Sequence, residues 1–169
     1  MQHWRFTAVL GALSLVPLFS TPALADPRAN LKGFEEVPVV LTSGEGVCNL
    51  KIRHDPSGPT IDVDLSYENL EGNVQQAHIH VAQRNVSGGI VLFLCSNLGN
   101  GTPGTPLCPG PHEGQVTRNL TATDVLPATT QGITAGDIEE VLTAIEEGKA
   151  YCNVHSDQSP AGEIRGQLK

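Results

Sequence analysis

Ile61, Val63 and Leu65 alternate with Asp62, Asp64 and Ser66. A period of two is the signature of an extended strand that turns one face to a core and the other to water. Strand-like character recurs over residues 47–53, 74–82, 89–94, 114–122, 150–155 and 162–168. Turn chemistry separates most of these stretches: Asp55-Pro56-Ser57-Gly58, Glu71-Gly72-Asn73, Ser87-Gly88-Gly89 and a long Gly/Pro-rich loop from Ser96 to Pro111. Many short strands at this spacing predict a mainly β fold, an antiparallel β-sandwich or a barrel-like sandwich.

One stretch departs from the pattern. Ile138, Val141, Leu142 and Ile145 follow i, i+3, i+4, i+7, with Glu139, Glu140, Glu146 and Glu147 mostly opposite. This predicts one amphipathic helix over about 134–148, lying against the sheet. Thr134 is its expected cap, Asp137 complements its positive end and Gly148 stops it.

The N-terminus reads differently. Met1 to Arg5 is a short basic head, Phe6 to Phe19 is almost continuously apolar, and Ala23-Leu24-Ala25 is a small-x-small cleavage site. That three-part layout predicts a signal peptide over residues 1–25, with an apolar run too short for a comfortable span, and a single domain over 26–169. The expected product is exported to the periplasm, cell surface or medium, and carries no transmembrane segment. Cleavage removes Met1, Trp4, Phe6 and Phe19, so the mature chain has no Met or Trp and keeps only Phe34, Tyr67, Phe93 and Tyr151 as aromatics. Loss of Arg5 makes it one unit more acidic than the formal −8 of the whole sequence.

These features exclude whole classes of function. A nucleic-acid groove wants clustered Lys and Arg, and single-stranded nucleic acid wants aromatic platforms; this chain has neither, so no nucleic-acid partner is expected. A blue-copper centre needs a free thiolate and normally a Met. The sequence contains no G-x-S-x-G elbow, H-E-x-x-H or P-loop, and no catalytic residue is assigned.

In an oxidising compartment the even set Cys48, Cys95, Cys108 and Cys152 forms two disulfides. Cys95 and Cys108 flank the Gly/Pro loop, while Cys48 and Cys152 both sit in strand-like segments, which favours Cys95–Cys108 and Cys48–Cys152 among the three pairings. The triplets at Asn85, Asn100 and Asn119 fit the N-glycosylation pattern.

Histidine is the remaining metal-binding side chain. His78 and His80 form an H-x-H pair, and alternation puts both on one face of a strand with Ala77, Ile79 and Val81 on the other. Asn153 and His155 likewise point opposite to Cys152 and Val154. If the two strands are neighbours, His78, His80 and His155 converge, and three nitrogens suit copper or zinc. Glu163 and Arg165 share a face and are expected either to orient an imidazole or to pair with each other; with Asn153 and Glu36 they make up the surrounding polar network. The competing reading is a purely structural network. His54 and His112 lie beside turns and are expected to be exposed.

Four segments, Phe34-Glu35-Glu36-Val37-Pro38, Ala77-His78-Ile79-His80, Tyr151-Cys152-Asn153-Val154-His155 and Gly162-Glu163-Ile164-Arg165-Gly166-Gln167, resemble in order and spacing the CHRD domain, named after chordin. The resemblance covers roughly Leu31 to Leu168. It implies a secreted, mostly β binding domain, found singly in microbial proteins and repeated in chordin, with His78, His80 and His155 on the family's own histidine positions. Chordin antagonises bone morphogenetic proteins, but its cysteine-rich modules are credited with ligand binding and this chain has none, so growth-factor binding is not carried over. The expectation is therefore an extracytoplasmic binding domain for a metal ion or for an extracellular protein or matrix partner. Two alternatives stand beside it: a mononuclear copper oxidoreductase similar to superoxide dismutase, and a structural or protein-interaction module without metal.

Overall fold

A computed structural model describes residues 26–169; the expected signal peptide, residues 1–25, lies outside the described residues. Eight strands run in chain order as β1 (Arg28–Lys32), β2 (Glu45–Asp55), β3 (Gly58–Glu68), β4 (Val74–Val81), β5 (Gly89–Ser96), β6 (Gly114–Leu120), β7 (Ala150–Ser156) and β8 (Ile164–Gln167), with a single α-helix, α1 (Ile138–Glu146), before β7. They form one antiparallel sheet in the order β5-β4-β7-β8-β1-β2-β3-β6. Local sequence sets the hairpins. Asp55 pairs with Gly58 across a two-residue Pro56-Ser57 turn, and the Ile61/Val63/Leu65 face pairs with Ile52, Leu50 and Cys48 of β2.

The sheet rolls up until its two edges meet. Arg118 on β6 donates to the carbonyl of Phe93 on β5 at 3.4 Å, and the Leu126 N–H donates to the Val91 carbonyl at 2.9 Å. Arg118 also pairs with Asp124 at 2.6 Å, while the other oxygen of Asp124 accepts the Thr121 N–H at 2.9 Å. The result is a nearly closed barrel, which resolves the sandwich-or-barrel alternative. The strand that makes the difference is β1, absent from the sequence reading, because Ala29 and Leu31 are only two apolar positions among charged and polar neighbours. It pairs along its whole length with β2 and at Lys32 with Arg165 of β8. At this seam Arg28 and Lys169 exchange both backbone hydrogen bonds, at 2.9 and 3.1 Å. A Cβ on Gly166 would lie 2.4 Å from the Asn30 carbonyl oxygen, so a side chain there would force the two strands apart.

The barrel interior is aliphatic: Leu31, Leu50, Ile61, Leu65, Ile79, Leu92, Leu94 and Ile164 are all essentially inaccessible. The Cys48–Cys152 disulfide joins β2 to β7 within this core, and Cys95–Cys108 closes the loop that follows β5. Helix α1 buries Ile138, Val141, Leu142 and Ile145, the stripe read from the sequence. Its start is corrected. The helix begins at Ile138, with Asp137 in the cap position and no side-chain cap bond, and Thr134 offers only its carbonyl, to the Asp137 N–H at 3.2 Å. Gly148, with φ +65°, ends it as expected. Among the described residues no helix is long and apolar enough to cross a membrane.

Candidate metal centre

Strands β4 and β7 are direct neighbours. Their register sets His78 opposite Asn153, His80 opposite Tyr151 and Gln76 opposite His155. Ala77, Ile79, Cys152 and Val154 point into the barrel core, so strand alternation sends His78, His80, Tyr151, Asn153 and His155 to the outer surface of the wall. That outer face is not wet. His78 is 0 % exposed, and His80 and His155 are 6 % exposed.

Three loops roof the site. Loop 33–44 contributes Glu36, whose Oε1 accepts from Asn153 Nδ2 at 2.5 Å. Loop 82–88 supplies the Gly88 carbonyl to His80 Nδ1 at 3.1 Å, and its Gly88 N–H donates to the Tyr151 hydroxyl at 3.2 Å. Loop 157–163 supplies the Pro160 carbonyl to His155 Nδ1 at 3.1 Å. An Arg84–Glu35 ion pair clasps the first two loops together. Gly162 has φ +131°, and a Cβ there would stand 2.6 Å from Glu36 Oε1 and 2.7 Å from Asn153 Nδ2. The glycine is what lets the Glu36–Asn153 contact form.

The carbonyl partners fix the imidazole protons. His155 donates from Nδ1, so its Nε2 carries a lone pair. His78 Nδ1 lies 3.1 Å from that lone pair and must donate to it. His80 donates from Nδ1 to Gly88. The Nε2 atoms of His78 and His80 are consequently bare lone pairs, buried and without a hydrogen-bond partner. Such atoms are rare, because leaving a buried acceptor unsatisfied costs about 1–3 kcal/mol.

One ring nitrogen from each of the three histidines falls within 4.8 Å of the others. The 3.1 Å between His78 Nδ1 and His155 Nε2 is near the spacing of two nitrogens that each lie about 2 Å from a common ion. Donor type and spacing, with the orphaned lone pair of His80, fit a small metal ion, which would take the place of the proton between His78 Nδ1 and His155 Nε2 and leave His78 protonated on Nε2. Burial holds all three rings neutral. Desolvation lowers the pKa of His78 to about 2, with His155 and His80 adding to it, and that of His80 to about 4, where the Gly88 hydrogen bond opposes and His155 and Arg165 add. It lowers that of His155 as well, against the hydrogen bond to Pro160.

The other expected residues do something different. Glu163 and Arg165 do not pair with each other, and among the described residues neither hydrogen-bonds an imidazole. Glu163 accepts from Thr42 Oγ1 at 2.8 Å, from the Glu71 N–H at 2.6 Å and from the Gly72 N–H at 3.4 Å, so it ties two loops to the barrel. Arg165 donates to the Val86 carbonyl at 2.8 Å and lies 3.5 Å over the Tyr151 ring. Tyr151 in turn lies parallel to His80, with centroids 4.7 Å apart, and Phe93 stands edge-on to His78 at 4.5 Å. Tyr151 and Phe93 were not singled out in the sequence, although Tyr151 shares the outward face of Asn153 and His155. The Glu36 pKa is driven upward, to about 7, by desolvation; the Asn153 hydrogen bond, the Arg165 charge and the Val37 N–H oppose the rise. His54 and His112 are exposed, and His112 Nδ1 rests 3.2 Å from the Gly72 carbonyl.

Compared with known proteins, residues 28–168 match the family model of the CHRD domain. No curated protein and no solved structure matches the chain.

Proposed function

The chain belongs to the CHRD domain family, and on that footing we propose that it is an exported, single-domain binding protein whose ligand is a metal ion held by His78, His80 and His155. The observation that carries the reading is three buried imidazoles that each bring a ring nitrogen within 4.8 Å of the others, with the Nε2 lone pair of His80 left without a partner. A structural network alone supplies no reason to leave the His80 acceptor bare beside two other imidazoles. A bound cation does, because it takes up lone pairs that water cannot reach. Export is supported by the two disulfides and by the layout of the first 25 residues.

Binding is favoured over turnover by burial. A catalytic metal site keeps one position open for water or substrate, whereas these imidazoles are covered by three loops and two aromatic rings. The residues around the cluster position it: Gly88 and Pro160 fix two tautomers, and Asn153, Glu36 and Arg165 hold the roof. Removing any of them loosens the site without removing a ligand.

The test is elemental analysis of protein purified without an affinity tag, after incubation with copper or zinc and removal of excess. One ion per chain is expected, falling to background in His155→Gln and His80→Gln. Binding should also raise the melting temperature in proportion to the logarithm of free metal. Sub-stoichiometric metal that neither substitution changes, together with a metal-independent melting temperature, refutes the reading in favour of a structural network.

A further inference from the structure

We infer that the three-histidine site selects a monovalent, low-coordinate ion, Cu(I), over the divalent ions Zn(II) and Cu(II); this rests on the metal-binding reading above. The reasons are charge, the partners of the ligands, and the space around them.

Charge comes first. All three ligands are neutral imidazoles, and no thiolate is free among the described residues, both cysteine pairs being bridged. The Arg165 guanidinium over Tyr151 adds positive charge nearby, and the Glu36 carboxyl, which desolvation already holds partly neutral, offsets it only in part. Nothing is left to balance a second positive charge. The cost of desolvating an ion grows with the square of its charge, so a divalent ion pays about four times what a monovalent one does in the same cavity.

The ligand partners agree. Imidazoles that hold divalent metals gain basicity when their second nitrogen donates to a carboxylate. Here His80 donates to the Gly88 carbonyl and His155 to the Pro160 carbonyl, both uncharged. The buried carboxylate of Glu163 is spent on Thr42, Glu71 and Gly72.

Space completes the case. A three-histidine Zn(II) centre fills its fourth position with water or an anion. Around this cluster Phe93 stands edge-on to His78 at 4.5 Å and Tyr151 covers His80 at 4.7 Å, so two of the three ligand rings are packed against aromatic rings rather than water. Zn(II) and Cu(I) are both d10, so the difference between them is charge: a monovalent ion is satisfied by two or three nitrogens where a divalent one draws in a further donor. The chain would therefore hold reduced copper in a dry pocket, where it is kept from solvent.

The experiment is an anaerobic titration of the tag-free protein with Cu(I) against a chromogenic Cu(I) chelator. Parallel titrations use Zn(II), Cu(II) and Ag(I), the last a monovalent ion that reports charge and coordination number without redox chemistry. Expected are one Cu(I) or one Ag(I) per chain, retained against about a tenfold excess of Zn(II), and lost in His80→Gln. X-ray absorption at the copper edge of the loaded wild type, which needs no variant to fold, should show two or three nitrogen neighbours and no sulfur. Stoichiometric, His80-dependent binding of Zn(II) or Cu(II) that displaces Cu(I) overturns the selectivity while leaving the metal site standing. Absence of His80-dependent binding by any of the four ions overturns both.

Discussion

Replacing Glu36 with Gln should make the protein more stable above neutral pH and nearly as stable as the parent below it. Glu36 is 7 % exposed, and its carboxylate is penalised by desolvation more than Asn153, Arg165 and the Val37 N–H relieve it. Burial therefore pushes its pKa up to about 7 in the folded protein, against 4.5 for a free glutamate carboxyl. A raised folded pKa means that the native state prefers the proton. The stability contributed by that preference is fully present below pH 4.5 and is lost as the pH rises through 7. At about 1.4 kcal/mol per tenfold change, the gap amounts to ~3 kcal/mol once the acid is fully ionised. Glutamine keeps an oxygen for Asn153 Nδ2 and cannot ionise. Urea unfolding followed by circular dichroism should give E36Q and wild-type free energies within ~1 kcal/mol at about pH 5, with the variant ahead by ~2–3 kcal/mol more at about pH 8.5. A difference between the two proteins that stays flat across this range refutes the assignment of Glu36 as a buried acid held protonated by its surroundings.

The histidines slope the other way. The folded pKa of His80 is depressed to about 4, so the stability it contributes is present above 6.5 and lost as pH falls through 4. In an E36Q background that removes the opposing carboxyl, acid titration from pH 6.5 toward 4 should cost ~3 kcal/mol from His80 alone, and chemical shifts that show a protonated His80 at pH 6 in folded protein would contradict it. Gly162→Ala places a Cβ against Glu36 and Asn153 at a positive φ; it should cost ~2–4 kcal/mol in denaturant unfolding, and an unchanged midpoint would mean that the roof is looser than described. Removing Cys95–Cys108, with 13 residues of separation, should cost ~3 kcal/mol, and removing Cys48–Cys152, with 104, about 4–5 kcal/mol plus the loss of core packing. Melting curves of the two double Ala variants check the order.

The period-two runs made the strands legible because each β residue answers to a core on one side, and Ile61, Val63 and Leu65 declare it without help. Helix α1 was legible for the same reason at its own period, but its start was not: three residues lie between Thr134 and Ile138, and the backbone turns there through carbonyl contacts that leave no mark in residue type. Strand β1 escaped because five residues with two apolar positions carry too little pattern, although it completes the barrel. In the site, the shared face of His78 and His80 followed from alternation alone. The convergence with His155 required knowing that β4 and β7 are neighbours, a long-range pairing that local sequence does not encode. Burial was invisible for a further reason. The roof comes from loops whose polar and backbone atoms, the Gly88 and Pro160 carbonyls among them, bind the imidazoles, and carbonyl contacts can be made by any residue. Glu163 and Arg165 shared the predicted face yet point their charges at loop backbone and at Tyr151, because those partners lie closer than the imidazoles.

The Cys48–Cys152 bridge has a consequence for life among proteases. The 104-residue span it closes contains β3 to β6, α1, the other disulfide and the long loop from Ser96 to Pro111, the kind of exposed loop that proteases cut. A single cut anywhere in that span leaves two fragments still joined through the barrel core. His155 lies three residues beyond Cys152, so the strand carrying it remains attached even when the chain that carries His78 and His80 has been nicked. Such a molecule would migrate as one species until reduced, and it could go on holding its ligand as a two-chain protein.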